Sequence, residues 1–274
     1  MRVLLDNGIF IHAEFADRAV KRTTVRWGDT DQTVEVHGAV RKTPATDVDY
    51  QQQKEALFTV GRLIREGQIE AFDYWEIQCE RWRGSAGIGA CNALRDCESK
   101  IKSCHPAIQR SKFRQTIDFA ETISKGGKKD RKTGIVPSQA SQIAFFEWLC
   151  SLSEESVALL ILHAEQIRLT AFEIESLENI DWFQFLCERS GSSENYPDVF
   201  HLWTAERNGF DALLTLEARF PNLVSRVRNE RGKNIEIRAQ VLRPLDLLTR
   251  FGINEPDPVL MDAGRFYHLH ELPG

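Results

Sequence analysis

The sequence predicts an α/β protein built around a mainly parallel sheet. Short apolar segments at residues 2–5, 69–72 and 212–216 alternate with longer amphipathic segments, the pattern of strands connected by helices. Residues 23–40 instead alternate with a period of two around a Gly-Asp-Thr-Asp turn, which predicts an added β-hairpin. A third feature is the long segment 85–180, in which helical patterns predominate.

Each predicted element follows from local residue choices. Residues 2–5 form an apolar strand, and residues 9–20 predict a helix or a turn followed by a helix. Residues 54–66 carry apolar side chains at helical spacing and stop at Gly67. The strand at 69–72 leads into a helical segment that ends near Gly84. The remaining predictions are helices at 138–152, 156–169, 181–189 and 198–208, strands at 212–216 and 235–241, and a terminal helix led by Pro244.

Composition limits the class of protein. With 42% apolar residues, 27% charged residues and a net charge of −5, the 274-residue chain resembles a soluble globular protein rather than a uniformly basic nucleic-acid binder. No apolar run approaches the roughly 18 residues that cross a membrane, and no secretory signal is visible. Six cysteines are too sparse for a disulfide framework, which favours a reducing, cytoplasmic location.

Four acidic residues stand near the ends of apolar segments or at helix starts. They are Asp6 after the first strand, Glu80 in the helix after the second, Asp198 at the start of a later helix, and Glu217 after the strand at 212–216. In an open parallel sheet, the carboxyl ends of strands and the following helix starts meet at one crevice. Carboxylates gathered there repel one another unless a divalent cation offsets them, and oxygen sites suit Mg²⁺ or Mn²⁺.

Blocks of the sequence resemble those of PIN-domain nucleases. Residues 3–11, Val-Leu-Leu-Asp-Asn-Gly-Ile-Phe-Ile, resemble the family's opening strand, which delivers an aspartate. Residues 71–84 resemble its second block, in which a glutamate lies four residues before a glycine. Residues 197–220 resemble its third block, with an aspartate, an alanine seven residues on, a glycine four further, and a strand into Thr-x-acid and Arg-Phe. Residues 241–248 resemble the last strand and the proline-led helix.

This resemblance implies a three-layer PIN-like fold for a single domain of residues 1–274, with a hairpin insertion at 21–42 and a mostly helical insertion at about 85–180. It implies catalytic and metal-binding roles for Asp6, Glu80, Asp198 and Glu217, with Mg²⁺ or Mn²⁺ as cofactor. The implied activity is hydrolysis of phosphodiester bonds, with RNA preferred over DNA, leaving a 5′-phosphate. Two positions depart from the family: Gly8 replaces an asparagine, and Glu217 replaces the commoner aspartate.

Each acid also has an ordinary structural explanation. Asp6 can cap the following turn, Asp198 can stabilise a helix start, and Glu217 can be a solvated loop residue. Two further acids are possible helpers of the site. Glu76 lies one helical turn before Glu80, and Asp73 lies at the end of the preceding strand.

Basic residues provide candidate contacts to nucleic acid. Most basic runs are solvated surface, but near a nuclease site they can contact phosphates. We expect the glycine-rich segment 126–134 to be mobile and to contact the substrate backbone. The candidates are Arg110 and Lys112, together with Lys128, Lys129, Arg131 and Lys132 in that segment.

Other functions and partners remain open. The chain can be a PIN-like scaffold that has lost catalysis and binds nucleic acid or protein, as Gly8 suggests, although the retained carboxylates oppose this. It can also be a toxin-type ribonuclease in a defence or stress system. A hairpin is marginal alone, so its apolar residues should pack on the helical insertion or on a second subunit, as in a homodimer or a complex with another protein. These residues are Val25, Trp27, Val34 and Val36.

Overall fold

A five-stranded parallel sheet forms the centre of the molecule. The computed structural model describes residues 1–84, 89–113, 137–228, 237–259 and 261–272. The strands, in chain order, are β1 (Arg2–Leu5), β2 (Ala16–Trp27), β3 (Thr30–Arg41), β4 (Glu70–Asp73), β5 (Lys102–Ser103), β6 (Ala212–Leu214), β7 (Gln240–Leu242) and β8 (Phe266–His268). The central sheet has the order β5-β4-β1-β6-β7, and every adjacent pair is parallel. The predicted α/β class with a mainly parallel sheet is confirmed.

Helices connect and cover these strands. They are α1 (Asn7–His12), α2 (Val48–Arg65), α3 (Trp75–Gly84), α4 (Pro137–Cys150), α5 (Glu154–Leu162), α6 (Ala164–Ile167), α7 (Ala171–Glu178), α8 (Ile180–Ser190), α9 (Tyr196–Arg207), α10 (Arg219–Arg228) and α11 (Pro244–Arg250). The helix predicted at 156–169 is therefore two short helices. Residues 9–20, predicted as helical, contain the end of α1 and the start of β2.

The middle strand, β1, is fully buried. Val3, Leu4 and Leu5 are each 0% exposed, as expected for a strand with neighbours on both edges. Its register is fixed on both sides, because Val3 lies opposite Ala71 of β4 and opposite Ala212 of β6. The chain fills one side of β1 with β4 and β5 and then the other side with β6 and β7. Open α/β sheets bind ligands at the carboxyl ends of the strands where the order reverses in this way.

The helical insertion is joined to the core through α9. Helices α4 and α8 both pack against α9. Phe146 of α4 stacks on Phe200 at 4.6 Å between ring centroids, and Phe183 of α8 stacks on Trp203 at 4.9 Å. Large buried aromatic pairs of this kind contribute strongly to packing. The insertion therefore shares a hydrophobic core with the helix that carries Asp198.

The hairpin is longer than the sequence predicts. β2 and β3 pair antiparallel from Ala16 opposite Arg41 to the Trp27–Thr30 pair at the tip. At its base, β3 also pairs with β8, which places Gly38 opposite His268. A Cβ atom on Gly38 would lie only 2.3 Å from the backbone oxygen of Tyr267, so this close approach requires glycine.

The apolar side chains near the hairpin tip face solvent. Trp27 is 79% exposed, Val25 is 42% exposed and Val34 is 38% exposed. Of the two partners predicted for these side chains, the described part of the helical insertion does not cover them within one chain. A second subunit remains the predicted partner.

Two further sequence predictions concern other parts of the chain. The basic segment 126–134 lies outside the described residues, and the described part of the strand predicted at 235–241 is β7. Among the helices in the described ranges, none combines the length and the apolar character that crossing a membrane requires.

Candidate metal centre

Asp6 lies where β1 and β6 end side by side. Its backbone N–H donates to the carbonyl of Leu214 at 3.0 Å, which extends the pairing of the two strands by one residue. Its Oδ2 accepts a hydrogen bond of 2.9 Å from the Thr215 hydroxyl. The Asp6 side chain does not cap α1. The capping explanation therefore does not describe this residue, whose carboxylate is oriented from the neighbouring strand end instead.

Glu80 reaches the same region from α3. Its Oε1 accepts a hydrogen bond of 2.6 Å from Nε2 of Gln142, a residue of α4 that is 1% exposed. Its Oε2 lies 3.6 Å from Nε2 of His201. The helical insertion thus supplies a side chain that positions one of the predicted site carboxylates.

His201 is the central residue that the sequence interpretation missed. It lies on α9, is 1% exposed, and shares a hydrogen bond of 2.6 Å between its Nδ1 and the Tyr74 hydroxyl. One ligand atom from each of Asp6, Glu80 and His201 lies within 4.8 Å of the other two. The available signal was its position three residues after Asp198, on the same helix face. That signal is weak, because buried histidines on helices are common.

The donor set of this cluster suits a divalent cation. Two carboxylate oxygens and one imidazole nitrogen are ligand types that divalent metals take in proteins. The residue after Asp6 adds an unsatisfied polar atom, because Oδ1 of Asn7 is buried and has no hydrogen-bond partner among the described residues. Buried polar atoms without partners are rare and mark places where a further group can bind.

Asp198 and Glu217 contribute to the same electrostatic field. Burial, together with the nearby charges of Asp6, Glu80 and Glu217, raises the pKa of Asp198 to about 7, although His201 opposes this change. Burial also raises the pKa of Asp6. The structure therefore brings all four predicted carboxylates within electrostatic range of one another. Asp6 and Glu80 lie in the tight cluster with His201, whereas Asp198 and Glu217 lie outside it.

His201 carries a positive charge at neutral pH in the metal-free protein. Burial alone would lower its pKa, but Glu80, by charge and hydrogen bonding, and then Asp6 and Asp198 raise that pKa to about 9. The resulting imidazolium offsets part of the negative charge of the cluster.

A pocket of about 390 Å³ lies beside the cluster. Its lining includes Asp198 and Glu217 as well as Arg219 and Arg226 of α10. Both arginines are exposed, and neither guanidinium is paired with a carboxylate in the described part of the chain. The Glu217 side chain accepts a hydrogen bond of 3.1 Å from the backbone N–H of Arg219. The pocket therefore places two available cations next to the carboxylates.

The two possible helper acids have other partners. Glu76 is 3% exposed and pairs with Arg110 at 3.1 Å. Asp73 accepts a hydrogen bond of 2.8 Å from Gln78, and its other oxygen lies 3.7 Å from Arg81. These contacts give both acids structural roles beside the cluster.

Of the candidate nucleic-acid contacts, the two described ones are engaged within the protein. Arg110 pairs with Glu76, as above. Lys112 donates to the carboxylate of Glu173 and, at 2.7 Å, to the carbonyl of Arg168. The other four candidates lie outside the described residues: Lys128, Lys129, Arg131 and Lys132.

The fold and the site define an α/β protein with a carboxylate–histidine cluster at the carboxyl end of a parallel sheet. Comparisons with protein-family models, curated proteins and solved structures found no match for the chain. Function is therefore argued from the geometry and charge of the cluster and of its pocket.

Proposed function

We propose that the protein is a metal-dependent, PIN-like nuclease that hydrolyses phosphodiester bonds, with RNA as the preferred substrate. One observation carries the proposal: ligand atoms of Asp6, Glu80 and His201 lie within 4.8 Å of one another beside a pocket that also contains Asp198 and Glu217. The sequence blocks that resemble PIN nucleases support it. In chain order they fall on β1, on β4 and α3, on α9 and β6, and on β7 and α11.

In this proposal the carboxylates of Asp6 and Glu80 hold Mg²⁺ or Mn²⁺, and Asp198 and Glu217 add the negative charge that retains it. When bound, the cation supplies positive charge for the scissile phosphate and lowers the pKa of an attacking water. Thr215 and Gln142 keep the first two carboxylates in place through their hydrogen bonds. Preorganisation of this kind avoids the cost of ordering the ligands when substrate binds.

The pocket supplies the contact to substrate. Arg219 and Arg226 lie on one helix, border the pocket and have no carboxylate partner among the described residues. Guanidinium groups bind phosphate oxygens in a bidentate manner, which fixes the position of a nucleic-acid backbone. Phosphates next to the scissile one are therefore assigned to these two arginines.

A second candidate function follows from the charge on His201. An imidazolium inside the acidic cluster can act as a permanent internal counter-ion in place of a metal. The chain would then be a PIN-like scaffold that binds nucleic acid or protein without cleaving it. Gly8, which stands where the resembled family has asparagine, favours this second candidate.

Cleavage assays separate the two candidates. Labelled single-stranded RNA and DNA of the same sequence are incubated with the purified protein in Mn²⁺, in Mg²⁺ or with chelator. We expect metal-dependent cleavage of RNA with 5′-phosphate products, abolished by chelator and by Glu80→Gln. An intact substrate under all metal conditions would favour the scaffold.

The matched control is Glu178→Gln. It makes the same chemical change at an exposed residue of α7, outside the cluster. Activity that Glu178→Gln and Glu80→Gln retain equally would come from a contaminating nuclease.

A further inference from the structure

His201 contributes the only nitrogen donor of the cluster found among the described residues. Its Nδ1 is engaged by the hydroxyl of Tyr74, which is 0% exposed, and its Nε2 faces Glu80. A histidine that ligates a metal through one ring nitrogen almost always donates its other N–H to an oxygen, which fixes the tautomer and the orientation of the ring. Tyr74 provides that oxygen.

We propose that Nε2 of His201 is a direct ligand of the bound cation, together with Asp6 and Glu80, and that this nitrogen makes the centre prefer Mn²⁺ to Mg²⁺. The proposal rests on the metal-dependent function proposed above. It changes the site from an all-carboxylate one into a mixed carboxylate–imidazole centre.

The distances allow this with little movement. Metal–ligand bonds of about 2.1 Å let one cation join donors up to about 4.2 Å apart. The three ligand atoms lie within 4.8 Å of one another, and Glu80 Oε2 is already 3.6 Å from His201 Nε2. His201 is held in the core with 1% exposure, so the ring is ordered before a metal binds. The carboxylates then need only a small adjustment.

The choice of metal follows from the nitrogen. Mg²⁺ takes oxygen ligands and keeps several waters, whereas imidazole is a good ligand for first-row transition metals. Among those metals, Mn²⁺ also accepts carboxylates readily and serves phosphoryl transfer. A site with two carboxylates and one imidazole therefore discriminates against Mg²⁺.

The alternative role of His201 predicts effects of opposite sign. If the imidazole is an internal counter-ion, it competes with the metal, and removing it should strengthen Mn²⁺ binding. If it is a ligand, removing it should weaken Mn²⁺ binding and leave Mg²⁺ binding much less affected.

The test measures both binding and ligand identity. Electron spin-echo envelope modulation of Mn²⁺ bound to the parent protein reports a directly coordinated histidine nitrogen. The same measurement on protein labelled with ¹⁵N-histidine assigns the signal without any mutation. Calorimetry gives Mn²⁺ and Mg²⁺ affinities for the parent, for His201→Gln and for the control His163→Gln, which changes an exposed histidine.

We expect a histidine signal in the parent and in His163→Gln that is absent in His201→Gln, together with at least about a 10-fold decrease in Mn²⁺ affinity. No histidine signal in the parent, a signal that persists in His201→Gln, tighter Mn²⁺ binding by that variant, or no Mn²⁺ binding at all would each overturn the proposal. Cleavage assays on the same samples keep the two proposals separate. RNA cleavage without a histidine signal refutes only the ligand, and a histidine signal without cleavage refutes only the nuclease.

Discussion

At the scale of single residues, short polar side chains orient the acidic cluster. Thr215 donates to Asp6 from the end of the neighbouring strand, and Gln142 donates to Glu80 from the helical insertion. Neither could be identified from the sequence, because a threonine after a strand and a glutamine on a helix are ordinary residues at those places. Their role depends on which chain segments meet at the carboxyl end of the sheet.

Asp6→Asn should remove most nuclease activity while the fold remains intact. The substitution removes one anionic ligand, so we expect cleavage under limiting Mn²⁺ to fall by about 100-fold or more. The Thr215 hydroxyl can still donate to the amide oxygen, and relief of repulsion among the carboxylates should raise the metal-free melting temperature by about 2–4 °C. Single-turnover cleavage and thermal unfolding measure the two effects. Undiminished cleavage by this variant would contradict the metal mechanism.

The metal-free protein should lose stability between pH 6.5 and 9. The pKa of His201 is raised from 6.5 to about 9 in the folded state. The stability that its charge contributes is therefore fully present below pH 6.5 and is lost as pH rises through about 9. Asp198, with its pKa raised from 3.8 to about 7, acts in a lower range, where its contribution is lost as pH rises from 3.8 to 7. Denaturant unfolding should show a decrease of roughly 2 kcal/mol over the higher range.

His201→Gln supplies the check on this pH dependence. A neutral side chain cannot titrate there, so the profile of this variant should be nearly flat between pH 6.5 and 9. The exposed control His163→Gln should keep the slope of the parent. An equal slope in all three proteins would show that another group is responsible.

At the scale of elements, patterns that a segment carries within itself were predictable. The buried strands and the amphipathic helices of the core follow from apolar spacing, and Gly209, with a φ of +64°, marks the end of α9. The sequence did not reveal β8 or the full length of the hairpin. β8 is a strand only because Gly38 leaves space for the backbone at residue 267, and that pairing joins segments far apart in the chain. His201 was missed for the same reason, since the cluster draws its residues from β1, α3 and α9.

The exposed apolar side chains of the hairpin should mediate self-association. Val25→Thr, Trp27→Ser and Val34→Thr combined should reduce association without a large change in stability, because these side chains are exposed in the single chain. Sedimentation velocity over a concentration series measures the oligomeric state. Leu162→Ser, at a side chain of α5 that is 75% exposed, is the matched control. A parent that stays monomeric at its highest soluble concentration would contradict the prediction.

At the scale of the whole molecule, the charge of the chain opposes nucleic-acid binding. The net charge is −5, so attraction to phosphate must come from local groups. Arg219 and Arg226 beside the cluster are such groups, and the segment 126–134 carries four more basic residues. Binding should therefore depend steeply on salt even though the protein is acidic.

Removing these cations should reduce that salt dependence in proportion. Each cation that neutralises a phosphate adds roughly one unit to the logarithmic salt slope of affinity. Arg219→Ser with Arg226→Ser should lower the slope by roughly two units, and changing Lys128, Lys129, Arg131 and Lys132 to Ser should lower it by up to roughly four. RNA affinity is measured across a salt series, with the exposed Arg250→Ser as control. Lines that coincide with the parent would show that the altered residues are only solvated surface.

The position of β1 has a consequence for synthesis of the protein. β1 can pair with β4 once residue 73 has emerged from the ribosome, but its other neighbour, β6, begins about 140 residues later. At 5–20 residues per second that interval is on the order of 10 seconds, during which one edge of an apolar strand is open on the nascent chain. A ribosome-associated chaperone would need to shield this edge. Asp198 and Glu217 are translated after the same interval, so a nascent nuclease of this design stays inactive beside the messenger RNA that encodes it.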